Sequence, residues 1–181
     1  MRAEVNKCLE VLSKGGLILY PTDTVWGIGC DATIDSAIKK IFKLKQRSDS
    51  KALISIVSSY DQLKKLTHIT KKISFEKPTT VIYNDIKGIS KLAISADGTA
   101  AIRIVNDNFC QQLLSRFNKP IISTSANISK EDTPSCFNDI NQNIVDGVDY
   151  VVNHRKDEIM NKSSSIIKFD IEISLISKQI S

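Results

Sequence analysis

The sequence has no long apolar run, no paired-cysteine motif and little histidine. Across 181 residues no hydrophobic stretch approaches the roughly 20 residues needed to span a bilayer, so no membrane segment is expected. Residues 1–10 carry charges throughout and lack the apolar stretch of a secretion signal. The four cysteines, Cys8, Cys30, Cys110 and Cys136, are widely scattered, no C-x-x-C occurs, and the only histidines are His68 and His154. This argues against a zinc site and a disulfide scaffold, and makes a reducing cytoplasm the default compartment. Aromatic residues make up 6% of the chain, few for stacking nucleic-acid bases. There is no repeat, low-complexity tract or linker, so residues 1–181 are expected to form a single domain with one proper core.

What is present is a net charge of +5 with a sequence pI of about 9.0. Such a balance suits anionic partners, either nucleotide phosphates or RNA, and equally suits a solvated basic surface. Apolar periodicity predicts helices over 3–13, 33–44, 61–66, 108–117 and 136–144. Thr33 is the expected cap of the second helix, with Ile34, Ala37, Ile38, Ile41 and Phe42 inward and Lys39, Lys40 and Lys43 outward. Short apolar runs predict strands at 17–20, 52–57, 79–83, 100–105, 120–123, 150–152 and 165–169, with 21–32 a loop. Strands alternating with helices give an α/β domain; strand direction does not follow from the pattern.

Three segments can carry chemistry. In Tyr20-Pro-Thr-Asp-Thr-Val-Trp-Gly-Ile-Gly-Cys30 a strand ends at Pro21, and hydroxyls and a carboxylate follow. Those groups can meet a polar ligand, and Gly27 and Gly29 permit close backbone approach. The same residues serve equally well as a tight turn in which Thr and Asp bond their own backbone. It is neither a Walker loop nor a G-x-G-x-x-G fingerprint. Next, Lys45, Arg47 and Lys51 fall where a basic helix gives way to a strand. Converging cations there can neutralise a triphosphate, or merely offset the helix dipole. Finally, Pro120-Ile-Ile-Ser-Thr-Ser-Ala-Asn127 runs an apolar strand into three hydroxyls and an amide, the kind of strand end where α/β ligands sit, or else a cap for the next turn. Ser163-Ser164-Ser165 precedes a strand similarly, as a ligand contact or a surface loop. No Ser-His-Asp or Cys-His pairing suggests covalent catalysis.

Taken in order, these segments resemble the YrdC-type threonylcarbamoyl-AMP synthases. The family's Tyr-Pro-Thr opening stands nearly complete at Tyr20 to Asp31, its Lys-x-Arg as Lys45-Gln46-Arg47 with Lys51 nearby, and its Ser/Thr-x-Asn as Ser125-Ala126-Asn127. Its Val-Arg-Val strand is matched by Ile102-Arg103-Ile104, and its late Ser-Ser/Thr-Ile by Ser164-Ser165-Ile166. The agreement runs from about residue 12 to residue 170. The Pro-Gly-Pro-x-Thr usual before the middle strand survives only as Pro78 and Thr79 or Thr80, and Lys130 replaces a usual Gly. The chain is similar to the minimal form, without the extra C-terminal domain of longer members.

The resemblance implies a single-domain twisted mixed β-sheet with flanking helices and an open, concave basic cavity. It implies that L-threonine, bicarbonate and ATP give threonylcarbamoyl-AMP and pyrophosphate, normally with Mg²⁺. A separate tRNA threonylcarbamoyl transferase complex would use the product on the adenosine beside the anticodon of ANN-decoding tRNAs. On this reading Lys45 and Arg47 are catalytic; Lys51, Ser123, Ser125, Asn127 and Arg155 bind nucleotide; Thr22, Thr24, Arg103 and Ser165 bind threonine or carbamate. Lys51 can hold carbamate instead, Arg103 can line the cavity or merely pair with Asp97 or Asp107, and Asp23 fits a water-mediated Mg²⁺ contact or a turn. Metal ligands are not assigned. The alternatives are a module that binds structured or double-stranded RNA in the same basic cavity, and a carbamoyl-transfer domain. Weak direct tRNA association is compatible with the enzyme reading.

Overall fold

A computed structural model describes residues 1–46, 53–68 and 73–168. Eight strands form one mixed sheet in the order β7-β1-β2-β6-β3-β5-β4-β8. They are β1 Ile18–Tyr20, β2 Gly27–Asp31, β3 Ile54–Val57, β4 Thr79–Tyr83, β5 Ala100–Ile104, β6 Ile121–Ser125, β7 Tyr150–Val151 and β8 Ser165–Lys168. β1–β7, β3–β5 and β4–β8 pair parallel; the other pairs are antiparallel.

Alternation along these strands sends neighbouring side chains to opposite faces. Ile18, Tyr20, Ile56 and Ile121 pack against α1 (Arg2–Ser13) and, through Phe109, Cys110, Leu113 and Leu114, against a second helix, Asn108–Phe117. Leu19, Ile28, Cys30 and Ile122 pack on the other face with Ala37, Ile38, Ile41 and Phe42 of α2 (Asp35–Leu44). In chain order the remaining helices are α3 (Tyr60–Lys64), then α4, the Asn108–Phe117 helix, and α5 (Gln142–Asp146). α3 and Leu66 close a smaller core over Val57, Val81, Tyr83 and Ile102.

The structure departs from the predicted elements in instructive places. The segment read as a loop contains β2, whose Gly27 pairs opposite Ser125 and whose Asp31 pairs opposite Ile121. Its two glycines disguised it, because glycine in a strand marks close backbone approach as often as a turn. The Thr33 hydroxyl does not cap α2. It donates to Asp31 Oδ1 at 2.6 Å, and α2 starts after Ile34 without a side-chain cap. The helix expected over 136–144 is a 3₁₀ turn, Phe137–Asp139, followed by the short α5. Lys39, Lys40 and Lys43 are exposed, as expected, and Lys40 Nζ reaches the Gly15 carbonyl at 2.9 Å. The expected strand starts and ends at residues 52 and 169 lie outside the described residues.

Candidate functional site

The pairing of β2 with β6 brings the first and third chemical segments together. Around their ends lies a cavity of about 460 Å³, lined by Thr22, Thr24, Gly27, Arg103, Ser123 and Ser125 among others. That volume suits a small-molecule ligand. Leu53 and Ile54, at the start of β3, supply part of its apolar wall. Arg47 and Lys51 lie outside the described residues.

One wall is the turn after β1, and its hydroxyls are committed to each other. Arg103 Nη1 donates to Thr24 Oγ1 at 3.1 Å. Thr22 Oγ1 lies 2.9 Å from Thr24 Oγ1 and donates its own proton to the Val25 carbonyl at 2.8 Å. The proton between the two threonines therefore comes from Thr24, since a hydroxyl has one proton to give. Thr22 Oγ1 also accepts from Thr24 N at 3.0 Å. The result is a directed chain from guanidinium to carbonyl, and both readings of this segment hold together: it is a turn, and it faces the cavity.

Arg103 anchors this wall. It is 4% exposed, its Nη2 lies 3.2 Å from Asp23 Oδ1, and its buried Nε has no hydrogen-bond partner among the described residues. Asp23 Oδ2 accepts from Asn106 N at 3.3 Å. The strand arginine thus pairs with Asp23 rather than with Asp97 or Asp107, and it also lines the cavity. Among the described lining residues Arg103 is the one cation, and hydroxyls outnumber it.

The opposite wall is the end of β6. Ser123 and Ser125 line the cavity, and the Ser125–Ser129 turn is held from α2. Lys45 is 3% exposed; its Nζ donates to the carbonyls of Ser125 at 2.5 Å and Asn127 at 2.6 Å, and its own carbonyl accepts from Ser129 N at 2.8 Å. Gln46 then takes a left-handed φ of 50°, turning the chain out of α2. Asn127 Nδ2 donates to the carbonyls of Ile128 and Glu131 at 2.9 and 2.8 Å, which leaves Oδ1 as a buried acceptor with no partner among the described residues.

Four described sequence candidates stand apart from the cavity lining: Lys45 and Asn127, which hold the turn after β6 from behind, and Arg155 and Ser165. Arg155, at a φ of 57°, ion-pairs with Asp107 at 2.6 Å and Glu158 at 2.5 Å, and donates to the Thr22 carbonyl at 3.2 Å. It braces the threonine turn from behind. Ser165 is exposed and its amide bonds the Pro78 carbonyl at 3.0 Å; the two serines before it, Ser163 and Ser164, line the cavity instead. Sequence reasoning passed over Thr133, Ser135 and Met160, which also line it. Only the density of hydroxyl residues after Asn127 hinted at the first two. No group of three His, Cys, Asp or Glu side chains able to hold a metal occurs among the described residues. No helix among them is long and apolar enough to cross a membrane.

Comparison with known proteins places this geometry. The family model described as Telomere recombination, Sua5/YciO/YrdC, matches residues 10–176. The Threonylcarbamoyl-AMP synthase of Psychromonas ingrahamii is 40% identical over 139 residues, covering 71% of this chain and 72% of that protein. Pyrococcus abyssi Sua5 complexed with L-threonine superposes with a TM-score of 0.80 at 23% identity, covering 91% of this chain. The chain spans 50% of that longer protein. Escherichia coli YciO gives a TM-score of 0.78 at 19% identity, covering 93% of this chain and 85% of its own. These two likenesses carry the fold.

Proposed function

The chain belongs to the Sua5/YciO/YrdC family, and we propose on that premise that it makes threonylcarbamoyl-AMP from L-threonine, bicarbonate and ATP, releasing pyrophosphate. The observation that carries the reading is the cavity between the Thr22–Thr24 turn and the end of β6, which joins a buried cation to a set of neutral hydroxyls. Residues 1–181 are read as one such domain working in the cytoplasm.

The chemistry has two steps. The amine of threonine attacks the bicarbonate carbon, water leaves, and a carbamate forms. A carbamate oxygen then attacks the α-phosphorus of ATP, and the bond to pyrophosphate breaks. Both partners in the second step are anions, so charge neutralisation and positioning dominate the barrier. Arg103, which lines the cavity, is suited to a carboxylate or carbamate. Thr24, whose proton is spent and which accepts from Arg103, has one oxygen lone pair left to offer threonine's ammonium or hydroxyl, while Thr22, whose lone pairs are filled by Thr24, holds the turn. Ser123 and Ser125 offer hydroxyl protons to nucleotide oxygens. Arg47 and Lys51 are proposed for the triphosphate. Lys45 supports the Ser125–Asn127 turn and adds its charge nearby. Asn127, whose amide protons hold the loop and whose Oδ1 is buried, is proposed to support the nucleotide wall from behind the cavity lining. Arg155 and Ser165 are assigned supporting positions.

Asp23 is engaged by Arg103 and Asn106, so Mg²⁺ is proposed to arrive on the nucleotide's phosphates rather than in a protein cage. A transferase acting on tRNA would consume the product, with loose tRNA association through the basic surface. Pyrophosphate release from ATP tests the reading. It should need threonine and bicarbonate together. Release independent of threonine would overturn the function, and RNA binding without turnover would favour a binding module.

A further inference from the structure

Ser123 differs from the threonines across the cavity in what its proton has left to do. It lies in β6, 7% exposed, and its Oγ accepts a hydrogen bond from the Tyr20 phenol at 2.8 Å. No acceptor for the Ser123 proton is found among the described residues. A serine hydroxyl has one proton and two lone pairs, so accepting from Tyr20 leaves a proton to give.

Two glycines of β2 create this arrangement. A Cβ at Gly29 would come within 2.7 Å of Tyr20 Cε1 and 3.1 Å of Ile121 Cγ2, so only glycine lets the ring lie there. Gly27 sits two residues earlier, on the same face of the strand. A Cβ there would lie 3.2 Å from Ser123 Oγ, crowding the hydroxyl at the cavity. Tyr20 itself is 0% exposed. Burial pushes its phenol well above the ordinary value, so it stays protonated as a donor.

The geometry points to Tyr20 as a positioning residue that commits the Ser123 hydroxyl to donating into the cavity, toward an acceptor oxygen of the bound ligand. This rests on the functional reading above, which assigns that oxygen to the nucleotide and places threonine, the other bearer of acceptor oxygens, in the same cavity. Without the phenol, Ser123 is free to rotate and to spend its proton elsewhere. The Thr22–Thr24 wall then remains an acceptor surface, and the donor surface facing it loses its fixed direction.

The test is a double-mutant cycle of Tyr20→Phe and Ser123→Ala, read by calorimetric titration with a non-hydrolysable ATP analogue and, separately, with L-threonine. Tyr20→Phe should weaken one ligand by about three- to tenfold, the scale of one hydrogen bond, and leave the other unchanged. The arm that moves identifies the source of the acceptor oxygen. Ser123→Ala should weaken the same ligand at least as much, and the double variant should be no worse than Ser123→Ala alone. Fluorotyrosine at position 20 keeps the donor and should bind as wild type or tighter, which also serves if Tyr20→Phe does not fold. Wild-type affinities in Tyr20→Phe, losses that multiply in the double variant, or weakened binding with fluorotyrosine would overturn the inference alone. Wild-type protein that binds neither ligand would overturn the functional reading as well.

Discussion

The two walls of the cavity use the same chemical group in opposite ways. On the turn after β1, Thr22 and Thr24 pass their protons along a chain that starts at Arg103 and ends on the Val25 carbonyl. On β6, Ser123 accepts from a buried phenol and the Ser125 hydroxyl bonds no other described residue, so both keep a proton to give. Hydroxyls identical in the sequence thus become acceptors on one side and donors on the other. The lesson is that a list of lining residues does not state what a ligand meets; the direction of each bond does.

The comparison breaks most severely at Arg103. Arg103→Ala leaves the partly buried Asp23 without its cation, which should cost up to about 3 kcal/mol of stability in urea unfolding. Adding Asp23→Asn should restore much of that stability while pyrophosphate release stays lost. Recovery of turnover in the double variant would show that the arginine serves the turn alone.

Lys45 comes next, because it holds the donor wall from behind. Lys45→Met strands the Ser125 and Asn127 carbonyls, each a loss of about 1–3 kcal/mol if left unsatisfied. Displacement of β6's end by about 1 Å should lower turnover roughly 10²-fold. Wild-type turnover in a folded Lys45→Met variant would detach α2 from the site.

A matched pair then sharpens the contrast between walls. Thr22→Val removes the centre of the threonine chain and should cost about 1–2 kcal/mol in stability, since Thr24 N and the Val25 carbonyl both lose a partner. Ser125→Ala should leave stability within about 0.5 kcal/mol and weaken nucleotide binding by about 1 kcal/mol. Denaturation and calorimetry on both variants check this, and equal stability losses would erase the distinction. The smallest effect belongs outside the cavity. Neutralising Lys39 and Lys43 on the exposed face of α2 should leave turnover unchanged at moderate salt, where exposed charges are screened over about 10 Å. A large loss would mean the face contacts substrate.

Much of the fold was legible because it follows local rules. The apolar stripes of α1, α2 and α4 and the short runs of β1, β4 and β6 have the right period and clear stops. β2 was not, because Gly27 and Gly29 look like turn residues until Tyr20 and Ser123 are seen packed against them. The site was legible as a set of segments. Thr22, Thr24, Arg103, Ser123 and Ser125 do share one cavity. Ser165 missed it by one or two positions, since entering β8 turns its side chain to solvent while Ser163 and Ser164 stay at the cavity wall. Among the described residues Arg155 reaches the site through the Thr22 carbonyl, a contact across 133 residues that no local pattern encodes.

The sequence by itself determined the family, the α/β alternation and the hydroxyl and cation types available to the site, because these are properties of residue identity, spacing and order. Tertiary structure alone decided which of those groups keep a free proton or charge. Arg103 is balanced by Asp23, Lys45 is turned onto two carbonyls, and Ser123 is set by Tyr20. Hydrogen-bond direction depends on partners brought within about 3 Å by packing, and Tyr20 and Ser123 lie 103 residues apart in this chain.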